Sequence, residues 1–107
     1  MQSPQIDKIL KQPSRGLIVA ACLKGGGRAR YFDLAQEKAY FHTEASLTVH
    51  SRRLANAGYI TISKIGSRSK PHTTLELTRY GKRKGRAHLA ALAALHGITK
   101  QEATPAS

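Results

Sequence analysis

A mostly helical α+β domain is what the sequence predicts: a series of helices, a two-stranded β-ribbon, and a long closing helix. Three observations carry the prediction. Apolar residues recur at helical spacing through 43–60, the period falls to two across 59–65 and again across 73–77, and helical spacing returns over 79–96. A chain of 107 residues has room for one modest core, so 1–98 reads as a single domain and 99–107 as a disordered polar tail.

The stretch around which the rest is arranged is TEASLTVHSRRLANAGYI, 43–60. Thr43 is a good N-cap, Glu44 places a carboxylate in the first turn where the helix dipole favours it, and Gly58 supplies the left-handed residue that ends helices. Leu47, His50, Ser51, Leu54 and Ala57 share an inward side. Ala45, Thr48, Val49, Arg52 and Asn56 share the outward one, flanked by Ser46 and Arg53. That outward side is small, polar or cationic and holds no acid beyond the first turn, so it can enter a DNA major groove without clash or repulsion. For the helix alone, a solvated basic face is the plainer reading; the elements that follow it favour the groove.

Upstream, Ile6, Ile9 and Leu10 form an apolar stripe fit for a first helix of about two turns, too short to persist undocked. Ser14 as N-cap, or Pro13 in the first turn, starts a second helix; GLIVAACL, 16–23, is apolar on nearly every side, which makes it the central core helix. Gly25, Gly26 and Gly27 end it. A glycine-rich loop can cradle phosphate, but this one follows a helix and precedes no Lys-Ser or Lys-Thr pair, so it is a connector. YFDLAQEK, 31–38, is a third helix with Tyr31 or Phe32, Leu34 and Ala35 inward, and 39–42 turns into the Thr43 helix to complete a helix-turn-helix.

Downstream, Ile60, Ile62 and Ile65 on one strand and Leu75 and Leu77 on the next face inward, and the loop 66–72, GSRSKPH, puts Arg68 and Lys70 at the tip of a wing. Thr78 caps the last helix, about 79–96. It opens on the strongly basic RYGKRKGR and runs into Leu89, Leu92 and Leu95, with Ala93 and His96, a stripe that so small a domain has limited means to cover.

Eighteen Lys and Arg against six Asp and Glu give a net charge of +12. Between 52 and 86 there are ten basic residues and a single acid, Glu76, so an acidic polymer is the expected partner and this half of the chain its binding face. Acids so thinly spread, with no Ser-His-Asp set and no carboxylate pair, argue against an enzyme. Cys22 is the one cysteine, which excludes an intramolecular disulfide. It lies in an apolar helix, there is no Cys-x-x-Cys spacing, and no two of the five histidines fall three or four residues apart on one helix; a structural Cys22, no metal and no cofactor are expected. No apolar run approaches the roughly 18 residues of a membrane span, and 1–13 is too polar for a secretory leader, so a reducing cytoplasmic setting is expected.

Three segments resemble the winged-helix regulators of bacteria and archaea, the grouping that includes MarR-like and ArsR-like repressors. KQPSRGLIVAACL is similar to the Pro-x-Arg opening of the family's second helix, SLTVHSRRLANAGYI to the recognition helix running into the first wing strand, and GSRSKPHTTLELTRYGKRK to the wing with its Leu-Thr-x-x-Gly exit. Two departures stand out. Ser51 occupies a position that is often aliphatic, and the turn 39–42 is longer and more aromatic than usual, with Tyr40 and Phe41 available to fill what Ser51 leaves open.

The resemblance implies a winged helix-turn-helix with a C-terminal dimerisation helix, acting as a homodimeric, sequence-specific regulator on double-stranded DNA at the nucleoid. It implies that the 43–57 helix enters the major groove: Thr43, Ala45, Ser46, Thr48, Val49 and Arg52 toward bases or nearby phosphates, Arg53 and Asn56 on phosphate. Arg52 can hold a guanine bidentately or a phosphate, and Val49 or Ala45 can meet a thymine methyl. Arg68 and Lys70 would reach the flanking minor groove or backbone, and Arg15, at a helix start, would take phosphate. Leu89, Leu92, Leu95 and His96 would form the dimer interface. A small-molecule effector is not specified by any motif. The alternatives are an RNA- or ribosome-associated basic protein and a winged-helix module that binds protein; the ribbon lacks the stacking aromatics of RNA readers, having only Tyr59 near its base.

Overall fold

The computed structural model describes residues 6–66 and 71–103. In chain order the elements are α1 (Pro13–Lys24), β1 (Arg28–Arg30), α2 (Tyr31–Ala35), α3 (Glu44–Asn56), β2 (Ile60–Gly66), β3 (Pro71–Leu77) and α4 (Arg79–Ala103). The strands form an antiparallel sheet in the order β1-β3-β2.

The short segment before α1 is a turn where the sequence suggests a helix. The Asp7 carboxylate accepts the backbone N–H groups of Ile9 and Leu10 at 2.8 and 2.9 Å. A side chain that satisfies its own neighbours' amides offers the backbone an alternative to a helix, and Pro13 follows too soon for a second turn. Leu10 is buried nonetheless, so the segment docks as expected. The N-cap of α1 is Gln12, whose side chain accepts from the Arg15 N–H, with Pro13 at the first helical position; Ser14 lies inside the helix, buried, and its Oγ donates to the Tyr40 carbonyl at 3.1 Å.

α1 is the core helix. Ile18, Val19 and Cys22 are fully buried against Leu34, Phe41, Leu47, Leu54, Ile60 and Leu75. The Cys22 thiol donates to the Leu75 carbonyl at 3.6 Å, and burial pushes its pKa up to about 11. The glycine connector closes back on α1 through the Gly27 N–H, which meets the Cys22 carbonyl at 2.7 Å.

β1 is a third strand that the two-stranded expectation omits. It pairs with β3 through Arg28↔Glu76, Ala29↔Leu75 and Arg30↔Thr74. α2 is five residues long and not eight: past Ala35 the chain turns twice, the N–H groups of Tyr40 and Phe41 both bonding the Glu37 carbonyl, which drops Phe41 into the core while Tyr40 stays exposed. Of the two candidate inward aromatics, Tyr31 is half-buried and Phe32 is 67% exposed.

β2 and β3 pair in register from Ile60↔Leu77 to Gly66↔Pro71. Ile60, Leu75 and Leu77 are buried as expected, but Ile62 is not. Leu75 lies on the central strand, flanked by β1 and β2, whereas Ile62 sits opposite it on an edge strand. The Ile65 side chain, and Arg68 and Lys70 at the wing tip, fall outside the described residues.

α4 begins under a Thr78 cap, its Oγ1 accepting the Gly81 N–H at 2.9 Å. It continues to Ala103, past the expected stop near His96 and into the segment expected to be a disordered tail. Gly97 has no close neighbours and no positive φ, and one glycine weakens a helix by only about 1 kcal/mol, so it does not end this one. Residues 104–107 fall outside the described set.

Candidate nucleic-acid interface

α3 is fixed at both ends by its own sequence. Thr43 accepts the Ser46 N–H at 3.1 Å, and Gly58 adopts φ 84° where the chain leaves for β2. Leu47, Ser51 and Leu54 pin the helix to the core. On the other side Ala45, Val49, Arg52, Arg53 and Asn56 are exposed and Ser46 and Thr48 are half-buried, so the outward face is the expected one. Val49, 63% exposed, is a large apolar residue held in solvent at its centre. The face is acid-free beyond Glu44, and β2 leads directly from it toward the wing.

Residues 32–96 match the winged helix DNA-binding domain family. The chain belongs to that family. Among solved structures it is similar to a transcriptional regulator homologue from Pyrococcus horikoshii OT3, at 25% identity and a TM-score of 0.70, covering 84% of this chain and 87% of that one. YusO from Bacillus subtilis is 18% identical, with a TM-score of 0.64 covering 92% of this chain and 72% of its own. The adhesin competence repressor AdcR from Streptococcus pyogenes is 15% identical, with a TM-score of 0.64 covering 96% and 69%. These last two speak to fold alone. No curated protein matches the chain significantly. The family is one of DNA-binding domains, and the Pyrococcus horikoshii protein is named as a transcriptional regulator homologue.

Within the winged helix, the remaining expected site residues are placed unevenly. Arg15, at the start of α1, has a structural partner as well: its Nε donates to the Ile9 carbonyl at 2.7 Å, which ties the N-terminal turn to α1. It also lies near His50, whose pKa is lowered by burial and then by the Arg15 charge. Thr43 is exposed, but its hydroxyl oxygen is used in capping.

On α4, Leu89, Leu92 and Leu95 are 37%, 43% and 39% exposed, and His96 is exposed beside them. The core-facing side of this helix is different: Gly81, Gly85, His88 and Ala91. A Cβ on Gly85 would lie 2.5 Å from Val19 Cγ1, and one on Gly81 would overlap the Tyr59 carbonyl oxygen. Leu89 and Leu92 also border an open groove of about 380 Å³ with Leu17, Ala20 and Tyr40.

Two clusters had no place in the sequence-based site. At the base of the wing, the Tyr59 hydroxyl donates to Asp7 Oδ2 at 2.7 Å, and the Asp7 N–H meets His88 Nδ1 at 3.3 Å. Burial works to raise the Asp7 pKa, but hydrogen bonds from Tyr59, Leu10 and Ile9 and the nearby Lys84 charge bring it below the ordinary value; burial and Asp7 raise that of Tyr59. The second cluster joins the two helices of the helix-turn-helix. The Tyr31 hydroxyl lies 3.0 Å from the Glu44 carbonyl and 2.6 Å from Thr48 Oγ1. Among the described residues no group of three or more His, Cys, Asp or Glu is placed to hold a metal, and no helix is long and apolar enough to cross a membrane.

Proposed function

We propose that this winged helix is a sequence-specific, cytoplasmic regulator that binds double-stranded DNA as a homodimer, with α3 in the major groove and the wing on the flanking backbone or minor groove. The observation that carries this reading is the outward face of α3: Ala45, Val49, Arg52, Arg53 and Asn56 exposed together, small or cationic, on a helix capped at both ends and held by Leu47 and Leu54. A rigid helix with such a face presents base-reading groups without an entropic penalty for ordering them.

The dimer reading is supported by the leucine side of α4. Leu89 and Leu92 remain more than a third exposed although α1 lies directly alongside, so the protomer's own core leaves them for a partner. Two copies related by a two-fold axis would set their α3 helices on successive major-groove faces about 34 Å apart, giving an inverted-repeat site.

Binding is tested by fluorescence anisotropy on a selected duplex. Neutralising several phosphates releases counterions, so affinity should fall by orders of magnitude, roughly 10³-fold or more, between 50 and 200 mM salt if about six phosphates are contacted. A preference for single-stranded RNA of the same length would overturn the reading.

A further inference from the structure

We infer that Tyr31, which lies outside the exposed face of α3, sets what Thr48 can recognise: it holds the Thr48 hydroxyl as an acceptor only, and so selects a base pair that offers an amino donor in the major groove. The inference rests on α3 being the DNA-reading helix.

The argument is one of proton counting. Tyr31 has a single O–H and two oxygens within reach, the Glu44 carbonyl at 3.0 Å and Thr48 Oγ1 at 2.6 Å. A carbonyl oxygen can only accept. If the tyrosine proton pointed at Thr48, the Glu44 carbonyl would face a phenolic oxygen at 3.0 Å with no hydrogen between them, an arrangement of two acceptors. With the proton on Glu44, the short Tyr31–Thr48 contact requires Thr48 to donate. Both bonds are then made and no acceptors are opposed.

Thr48 has consequently spent its one proton. A threonine inside a helix ordinarily turns its hydroxyl to the carbonyl four residues back, which here is that of Glu44. Tyr31 takes that carbonyl and draws the threonine proton to itself, fixing the side chain between two helices. What remains on Oγ1 is lone-pair density on a half-buried side chain bordering the outward face, next to the exposed Val49. Adenine N6 and cytosine N4 are the donors a major groove displays, and guanine O6 and thymine O4 are acceptors that such an oxygen repels. A free threonine hydroxyl can serve either kind; this one discriminates.

Tyr31 is thus a positioning residue, and Tyr31→Phe removes its hydroxyl with little change of shape. The experiment compares wild type, Tyr31→Phe, Thr48→Val, Thr48→Ser and the Tyr31→Phe/Thr48→Val double variant on a selected duplex and on all single-base-pair changes of it, with thermal melts confirming folding. The expected result is loss of preference at one base pair, about three- to tenfold as for one hydrogen bond, in Tyr31→Phe. Thr48→Val should lose the same preference, the double variant no more, and Thr48→Ser should keep it. Tyr31→Phe should leave affinity for scrambled duplex unchanged. Equal weakening of all duplexes by Tyr31→Phe, or an unchanged profile, would overturn the inference while leaving α3 as the reader. A wild type with no preference among duplexes would overturn both.

Discussion

Helices α3 and α4 are each one-sided, and their sides are opposite in kind. α3 places its large residues, Leu47 and Leu54, in the core and leaves small, polar and cationic ones outside. α4 places Gly81, Gly85, His88 and Ala91 against the core and leaves Leu89, Leu92 and Leu95 partly in solvent. The difference teaches that closeness of approach can override hydrophobicity in choosing the buried face. At Gly81 and Gly85 the α4 backbone comes so near the Tyr59 carbonyl and Val19 that there is no space for a Cβ, and the face that contains them is the buried one whatever else it carries. In the proposed dimer the leucine stripe is the side that a second copy would cover. One helix carries small and cationic residues on its outer side, the other leucines.

The largest expected effect breaks the α4 half of this comparison. Gly81→Ala drives a methyl group into the Tyr59 carbonyl oxygen, which must displace backbone, and it should lower stability by about 3 kcal/mol or more. Gly97→Ala, with nothing close to it, should be neutral or stabilising by up to about 1 kcal/mol. Thermal or urea unfolding of both variants is the check. A Gly81→Ala protein as stable as the wild type would show that close approach does not select the face.

Next in size is the assembly itself. Leu92→Glu puts a charge on the outer stripe and should yield a folded monomer with weak, half-site binding, since an isolated surface change alters fold stability by only about 0.5 kcal/mol. Sedimentation at micromolar concentration, alongside circular dichroism, separates this from the opposite result. An unfolded Leu92→Glu chain would place the stripe in the protomer's own core, and a monomeric wild type on and off DNA would end the dimer reading.

On α3 the corresponding test is sharper and smaller. Arg52→Ala should blur preference at one or two base pairs at a loss of about 1–3 kcal/mol, whereas Arg68→Ala at the wing should weaken all duplexes more evenly. Equal losses for Arg52→Ala on the selected and the scrambled site would move Arg52 from base to phosphate contact.

The α3 faces, the core helix and the two strands of the ribbon were legible because each is written in a local period that burial enforces. What escaped the sequence is held by contacts between distant residues or by side chains acting on their own backbone. β1 exists through pairing with β3, and its Arg-Ala-Arg sequence has no apolar alternation to announce it. Asp7 turns 6–10 away from a helix by capping its own neighbours. Gly81 and Gly85 resemble helix breakers in composition and act as packing surfaces in space. Arg15 was placed by its position at a helix start, a rule blind to the Ile9 carbonyl that engages it. Tyr31 had one sequence signal, an aromatic at the head of α2, but its partners lie 13 and 17 residues away.

The smallest effect concerns the underside of α3, where the comparison with α4 is closest. Each helix turns a histidine inward, His88 buried and His50 half-buried, but His88 of α4 has a partner for Nδ1 in the Asp7 N–H, whereas the buried His50 Nδ1 and Ser51 Oγ atoms have none. An unpaired buried hydroxyl costs about 1 kcal/mol or more, and alanine is the better helix former, so Ser51→Ala should stabilise the fold by about 1 kcal/mol and leave the DNA face unchanged. His50 acts through pH. Burial, then the Arg15 charge, lowers its folded pKa below the unfolded value near 6.5, so the unfolded chain binds the proton more readily. Its contribution is therefore complete above about pH 6.5 and is lost as the pH falls through the folded value. Asp7, also lowered, loses its contribution only below about pH 4, so urea midpoints compared at pH 8 and pH 5 isolate the histidine. The wild-type midpoint should drop between them and that of His50→Gln should drop less; an identical slope in the two proteins would place the acid sensitivity elsewhere and leave the underside of α3 indifferent to its charge.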